Sequence, residues 1–321
     1  MSAQRIVFMG TPAFAVASLD ALVRAGIDVA AIVTAPDRPA GRGQQLRMSA
    51  VKEFALANET LKHRILQPDK LKDPAFHAQL DATSASLYVV VAFRMLPELV
   101  WKRPALGTIN LHASLLPDYR GAAPINWAVL NGETRTGVTT FFIRHEIDTG
   151  DILLREEIPI GAEETAGELH DRSMVIGASL LVRTVNDVLD GRAKSSSQVF
   201  DSTIVPHHAP KLTPENCRID WRCDAQTVHD HIRGLSPFPG AWTQLILGDR
   251  PPQHFKILKS RTAYRASNGD VGTSIVRDDQ LLVCCADGAI EALEIQTEGK
   301  RRMDTRSYLR GLHSPASFRF V

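Results

Sequence analysis

The first thirty residues leave a chain of this kind few options. "RIVFMG" (5–10) is a short apolar run ending on glycine, and Thr11 and Pro12 follow as N-cap and first helical residue. "AFAVASLDALVRAG" (13–26) carries apolar residues at helical spacing and stops at Gly26; "DVAAIVT" (28–34) is apolar again. Strand, helix and strand in that order form a β-α-β unit, and strands joined through a helix lie parallel with a right-handed crossover. Further along, "ASLYVVVAFRML" (85–96) and "LGTINLH" (106–112) have the continuous apolar character of strands buried on both faces. The turn after the first strand, "GTPAFA", lacks the second and third glycines that let a backbone approach a pyrophosphate, so a dinucleotide reading is set aside.

The chain has 321 residues, more than one core usually organises, and two domains are expected. "TGVTTFFIR" (136–144) and "DILLREEIPI" (151–160) read as two strands around the turn "HEIDTGD", and 166–191 as a long amphipathic helix closed by Gly191. Residues 1–191 thus form one domain. The polar, Ser/Pro-containing stretch 192–210 has no sustained period and reads as a linker. Residues 211–321 hold one helical segment, "AQTVHDHIRGL" (225–235), among short runs with turn signals at close spacing, the pattern of a small β-barrel.

A net charge of +1 excludes a surface that attracts polyanions everywhere, leaving only local basic patches. The N-terminus shows no charged n-region followed by an apolar h-region, and no apolar run reaches membrane-spanning length, so a soluble, cytoplasmic protein is expected. The four cysteines, Cys217, Cys223, Cys284 and Cys285, have neither CxxC spacing nor disulfide-scaffold density. His207, His208, Cys217 and Cys223 match no familiar zinc spacing, and no metal is expected.

Chemistry concentrates around "NLHASLLPDYRGAAP" (110–124). Asn110 and His112 lie two residues apart at a strand end, so their amide and imidazole face one volume, outside the carboxyl end of a parallel strand, where ligands of such sheets bind. Taken alone the pair reads as polar capping of a loop, and Asp148 in "EIDTGD" as ordinary turn chemistry. Together, an amide and an imidazole can stabilise a tetrahedral oxyanion while a carboxylate charges the imidazole or accepts a proton from an attacking amine. That set suits acyl transfer to an amine and needs no Ser or Cys nucleophile.

"NLHASLLPDYRGAAPINWAVLNGETRTGVT" (110–139) followed by "IDTGDIL" (147–153) closely resembles the folate-dependent formyltransferases, with Asn110, His112 and Asp148 at the positions of that family's catalytic residues. "RIVFMGTPAFA" (5–15), "PDRPAGRG" (36–43), "RIDW" (218–221) and "FPGAWT" (238–243) extend the similarity over both domains, toward the branch that acts on methionyl-tRNA. The resemblance implies a Rossmann-like parallel-sheet α/β domain followed by a smaller OB-like barrel that binds tRNA. It implies a formyl group carried from 10-formyltetrahydrofolate to the α-amino group of initiator methionyl-tRNA by a monomer. It also implies folate contacts from Ser114, Leu115, Leu116 and Pro117, and acceptor-stem contacts from Arg38 and Arg42 in the loop 36–46. Gln44 and Gln45 stand where some members carry a lysine pair. Members that formylate a nucleotide-linked amino sugar share the SLLP segment and a similar C-terminal domain, and remain the alternative. A noncatalytic RNA-binding module is a different-class alternative that would leave Asn110, His112 and Asp148 without a common purpose.

Overall fold

The computed structural model describes residues 4–40, 45–198, 205–248, 251–263, 269–312 and 318–321. Its opening is the β-α-β unit that the periodicity dictates: β1 (Arg5–Gly10), α1 (Ala13–Arg24) and β2 (Asp28–Val33), with β1 and β2 parallel. The helix begins one residue later than expected: Pro12, in extended conformation, is the N-cap, and no side chain caps it. Gly10 is required by close approach, since a Cβ there would lie 2.6 Å from that of Ala15 and 3.1 Å from the Val91 carbonyl.

Between β2 and the next sheet strand the chain forms a small hairpin, β3 (Arg38–Ala40) and β4 (Gln45–Arg47), where the composition indicates only a loop. There follow α2 (Ala50–Leu56), capped by Ser49, β5 (Ile65–Leu66), α3 (Pro74–Ala82), β6 (Leu87–Val91), α4 (Glu98–Trp101) and β7 (Thr108–His112). Next are β8 (Arg120–Gly121), α5 (Pro124–Leu130), β9 (Arg135–Phe142), β10 (Ile152–Pro159) and α6 (Ala166–Leu189). The sheet order is β10-β9-β7-β6-β1-β2-β5, with β7, β6, β1, β2 and β5 parallel and β9 antiparallel to β7. Val7, Met9, Val33, Phe76, Leu80, Tyr88 and Val90 form a core on one face, while the alternating Ile6, Phe8 and Val89 are fully buried on the other. Burial on both faces explains the unbroken apolar run of β6 and stabilises by about 1.5–3 kcal/mol per large side chain.

The remaining elements are β11 (His208–Ala209), which pairs with β8, then α7 (Ala225–Gly234), β12 (Ala241–Leu247), β13 (Gln253–Ala263) and β14 (Ser274–Arg277). The chain ends with β15 (Gln280–Cys284), β16 (Ala289–Thr297), β17 (Met303–Asp304), α8 (Thr305–Arg310) and β18 (Phe318–Phe320). Their order is β14-β15-β16-β13-β12-β18, antiparallel throughout, and a bridge between Thr273 and Arg319 nearly closes the barrel. Trp221, Ile232, Phe255, Ile257 and Ile290 fill it. The "RIDW" and "FPGAWT" segments meet here: the Ile219 N–H donates to the Trp242 carbonyl, and the Trp221 indole to the Thr243 hydroxyl at 3.1 Å.

The chain divides into two compact units, Met1–Arg120, Gly137–Ile158 and His170–His207 in one, Gly121–Thr136, Pro159–Leu169 and His208–Val321 in the other. The second unit therefore includes α5, which packs on α7, so a composition shift along the chain is not the same as a shift of core. No helix among the described residues is long and apolar enough to cross a membrane.

Candidate active site

The chain order β1, β2, β5, then β6 on the far side of β1, puts the switch in winding direction between β1 and β6, and open parallel sheets bind ligands outside the carboxyl ends near such a point. Asn110 and His112 sit on β7, beside β6, with Asn110 level with Val90 and Phe141 and His112 level with Thr139. Their side chains share a face of the sheet; Asn110 is half-buried and His112 is buried.

The imidazole is oriented by backbone. His112 Nε2 lies 2.9 Å from the Tyr119 carbonyl, and because a carbonyl only accepts, Nε2 carries a hydrogen and donates it. Tyr119 has φ of +57°, a left-handed conformation that directs this carbonyl, and it is held by its own N–H to the His207 carbonyl (2.8 Å) and by ring stacking on His207 at 5.2 Å. The other nitrogen, Nδ1, is 3.8 Å from Asp148 Oδ2, with both side chains about nine-tenths buried. That separation exceeds a hydrogen bond, so the carboxylate acts on the ring as a nearby charge while Tyr119 sets its angle.

Asp148 occupies a turn that tolerates few sequences. It has φ of +55°, and a Cβ on Gly150 would lie 1.5 Å from the Phe142 carbonyl, so only glycine fits two residues further on. The Gln198 carboxamide donates to the carbonyls of Asp148 and Gly150, each at 2.9 Å, and accepts from the Arg120 guanidinium. Burial lowers the Arg120 pKa, and the charges of Asp148 and Glu146 oppose that shift. None of Tyr119, Arg120 and Gln198 stands out in the sequence as a site residue. Arg120 alone carries a signal, as the arginine of the "RG" following SLLP.

The SLLP segment is fastened to β9 rather than left open. Thr139 Oγ1 donates to the Ser114 carbonyl at 2.6 Å and accepts from the Leu116 N–H at 3.2 Å, while the Ser114 hydroxyl donates to the Asp118 carbonyl. Ser114 and Leu116 are buried, Leu116 packing with Phe141 and Ile152; Leu115 and Pro117 are half-exposed, and Leu115 lies over Gly137. Of the four, Leu115 and Pro117 keep exposed side-chain surface, whereas the side chains of Ser114 and Leu116 are buried.

Arg38 lies directly opposite Arg47 in the hairpin, with Leu46 71% exposed beside them. Arg94 hydrogen-bonds to the Pro68 and Asp69 carbonyls; burial lowers its pKa and the charge of Arg38 lowers it further. Like charges facing each other across two strands are destabilising until an anion joins them. Arg42 and Gln44 lie outside the described residues, whereas Gln45 is on β4. Among the described residues no group of His, Cys, Asp and Glu could hold a metal ion.

Two family models match the chain, "Formyl transferase" over residues 4–185 and "Formyl transferase, C-terminal domain" over 211–313. Methionyl-tRNA formyltransferase of Bacteroides thetaiotaomicron is 46% identical over 310 residues, covering 96% of this chain and 95% of that protein. The enzyme of the same name from Azobacteroides pseudotrichonymphae is 49% identical over 318 residues, covering 97% and 96%. In fold the chain is similar to WlaRD, a sugar 3N-formyl transferase crystallised with dTDP and 5-N-formyl-THF, with a TM-score of 0.64, 19% identity and coverage of 94% and 100%. It is similar also to HypX from Aquifex aeolicus in complex with tetrahydrofolic acid, with a TM-score of 0.64 and 19% identity, covering 96% of this chain and 47% of that one. The chain belongs to the formyl transferase family, and within it to the methionyl-tRNA formyltransferases.

Proposed function

We propose that this protein transfers a formyl group from 10-formyltetrahydrofolate to the α-amino group of methionine esterified to initiator tRNA. It does so in the cytoplasm as a monomer. An α-amino group has a pKa of about 8, so a useful fraction is neutral and nucleophilic near pH 7 without help from the protein. The barrier lies in the charge that collects on the formyl oxygen as nitrogen attacks carbon.

Asn110 and His112 answer that charge. With Nε2–H committed to the Tyr119 carbonyl, the ring nitrogen left to donate is Nδ1, which makes the working ring an imidazolium balanced by the Asp148 carboxylate 3.8 Å away. The Asn110 amide supplies the second donor from the same face of β7. The neutral amine becomes an ammonium once it has added to the formyl carbon, and Asp148 takes its proton, directly or through water. As the bond from the formyl carbon to the folate nitrogen breaks, that nitrogen takes up a proton by the same route and tetrahydrofolate leaves neutral. The folate is held along the SLLP loop, Leu115 and Pro117 forming its apolar wall and Ser114 and Leu116 keeping the loop in shape. Arg38 and Arg42, with Arg47 opposite Arg38, take phosphates of the acceptor stem, and the C-terminal barrel adds further tRNA contacts.

The observation that carries this reading is the buried His112–Asp148 pair at the carboxyl end of β7, in a chain 46–49% identical over almost its whole length to methionyl-tRNA formyltransferases. The test is to offer 10-formyltetrahydrofolate together with methionyl-tRNA, glycinamide ribonucleotide or a nucleotide-linked amino sugar and to identify the formylated amine. Formyl-methionyl-tRNA is expected; formylation of the sugar amine alone would overturn the assignment.

A further inference from the structure

Residues 196–198 fall in the stretch whose composition marks it as a linker, yet they are laid along the start of β10. Ile152 and Ser196 exchange both backbone hydrogen bonds, at 2.8 and 2.9 Å. This pairing delivers the Gln198 side chain to the Asp148 turn. A primary amide has two N–H donors and one carbonyl oxygen, and here both donors are engaged by two carbonyls of the turn, those of residues 148 and 150, while the oxygen meets Arg120.

The turn is one that needs holding. Asp148 has φ of +55°, a region that residues with a Cβ avoid, and such conformations persist where their surroundings over-determine them. Carbonyls of residues 148 and 150 gripped by a single rigid amide fix the peptide planes that follow Asp148 and Gly150, and with the first of them the direction in which the Asp148 side chain leaves the backbone. Glutamate would set a carboxylate oxygen against two carbonyls, and methionine would offer no donor.

We infer that Gln198 is a positioning residue for formyl transfer: it locks the Asp148 turn so that the carboxylate stays beside His112 Nδ1, with Arg120 anchoring the amide from β8. The inference rests on Asp148 acting in the reaction, as proposed above. Gln198 touches no reacting atom, so its whole effect is transmitted through Asp148. The segment after α6 is therefore a working part of the site.

Single-turnover and steady-state kinetics on the full chain test this, using Gln198→Met and Gln198→Ala, each alone and combined with Asp148→Asn. Because displacing a catalytic group by about 1 Å can cost roughly 100-fold, kcat is expected to fall about 10- to 100-fold in both single variants. KM for folate and for tRNA should stay within about twofold, and because Gln198 works only through Asp148, it should add less than about threefold to the loss in Asp148→Asn. Purely structural glue would give losses that multiply in the combined variants. That result overturns the inference, as does a folded Gln198→Met variant with wild-type kcat or a loss carried by KM. Asp148→Asn alone separates the two readings: if it keeps wild-type kcat, the role of Asp148 fails, whereas if it is impaired and Gln198→Met is not, only the positioning role fails.

Discussion

Thr139 shows how one hydroxyl can hold a functional loop. It lies fully buried level with His112, donates to the Ser114 carbonyl and accepts from the Leu116 N–H, closing the SLLP segment onto β9. Thr139→Val keeps the shape and removes both bonds, leaving a buried N–H and a buried carbonyl unpaired. A loss of about 1–3 kcal/mol in urea-unfolding free energy is expected, with Thr139→Ser close to wild type. Equal stability of the valine and serine variants would show that the hydroxyl does not hold the loop. The two proposed oxyanion donors, Asn110 and His112, are legible because strand alternation puts residues i and i+2 on one face. Tyr119 is not, since its contribution is a carbonyl turned by a left-handed φ, a property of backbone that residue identity does not announce.

At the scale of elements, α7 carries a buried histidine, His229, and a partly buried one, His231, in the second unit. His229 donates or accepts at Nδ1 with the Ser260 hydroxyl at 3.0 Å, while Nε2 lies 3.5 Å from a Glu163 carboxylate oxygen. Burial lowers the pKa of His229, with Glu163 opposing, and burial lowers that of His231, with a backbone hydrogen bond to Cys217 opposing. A histidine depressed in the folded state binds its proton more readily when unfolded. Its contribution to stability is therefore complete above the unfolded value of about 6.5 and is lost as pH falls below it toward the folded value. Urea midpoints measured from neutral pH down to about pH 5 should decline, and replacing both histidines by glutamine should flatten that decline. An unchanged slope in the double variant would remove these two groups from the acid sensitivity. The helices α1 and α6 are legible from sequence because their apolar spacing decides which face is buried, and β1 and β6 because an unbroken apolar run marks a strand buried on both faces. The β3–β4 hairpin is not, as three-residue strands carry no period, and α3 escapes notice although Asp73 and Pro74 form an N-cap and first-turn signal.

For the whole molecule, the chain order along the sheet creates the site: winding switches direction between β1 and β6, and the next strand, β7, brings Asn110 and His112 to the open edge of that crevice. The Asp148 turn follows β9, the antiparallel strand that pairs with β7 in the sheet, so a separation of 36 residues in sequence becomes a 3.8 Å approach in space. Topology, rather than any single motif, brings Asp148 beside the strand end that carries His112. The presence of a barrel is readable from closely spaced turn signals, but its near closure through Thr273 and Arg319 is a tertiary outcome. The sharpest test of the account is the turnover number for formyl-methionyl-tRNA, measured with saturating 10-formyltetrahydrofolate for the wild type and for Asn110→Ala. Loss of an oxyanion donor predicts turnover by the wild type and a fall of roughly 10²- to 10³-fold in the variant, with its unfolding transition unchanged. Wild-type turnover in a folded Asn110→Ala protein would contradict the account.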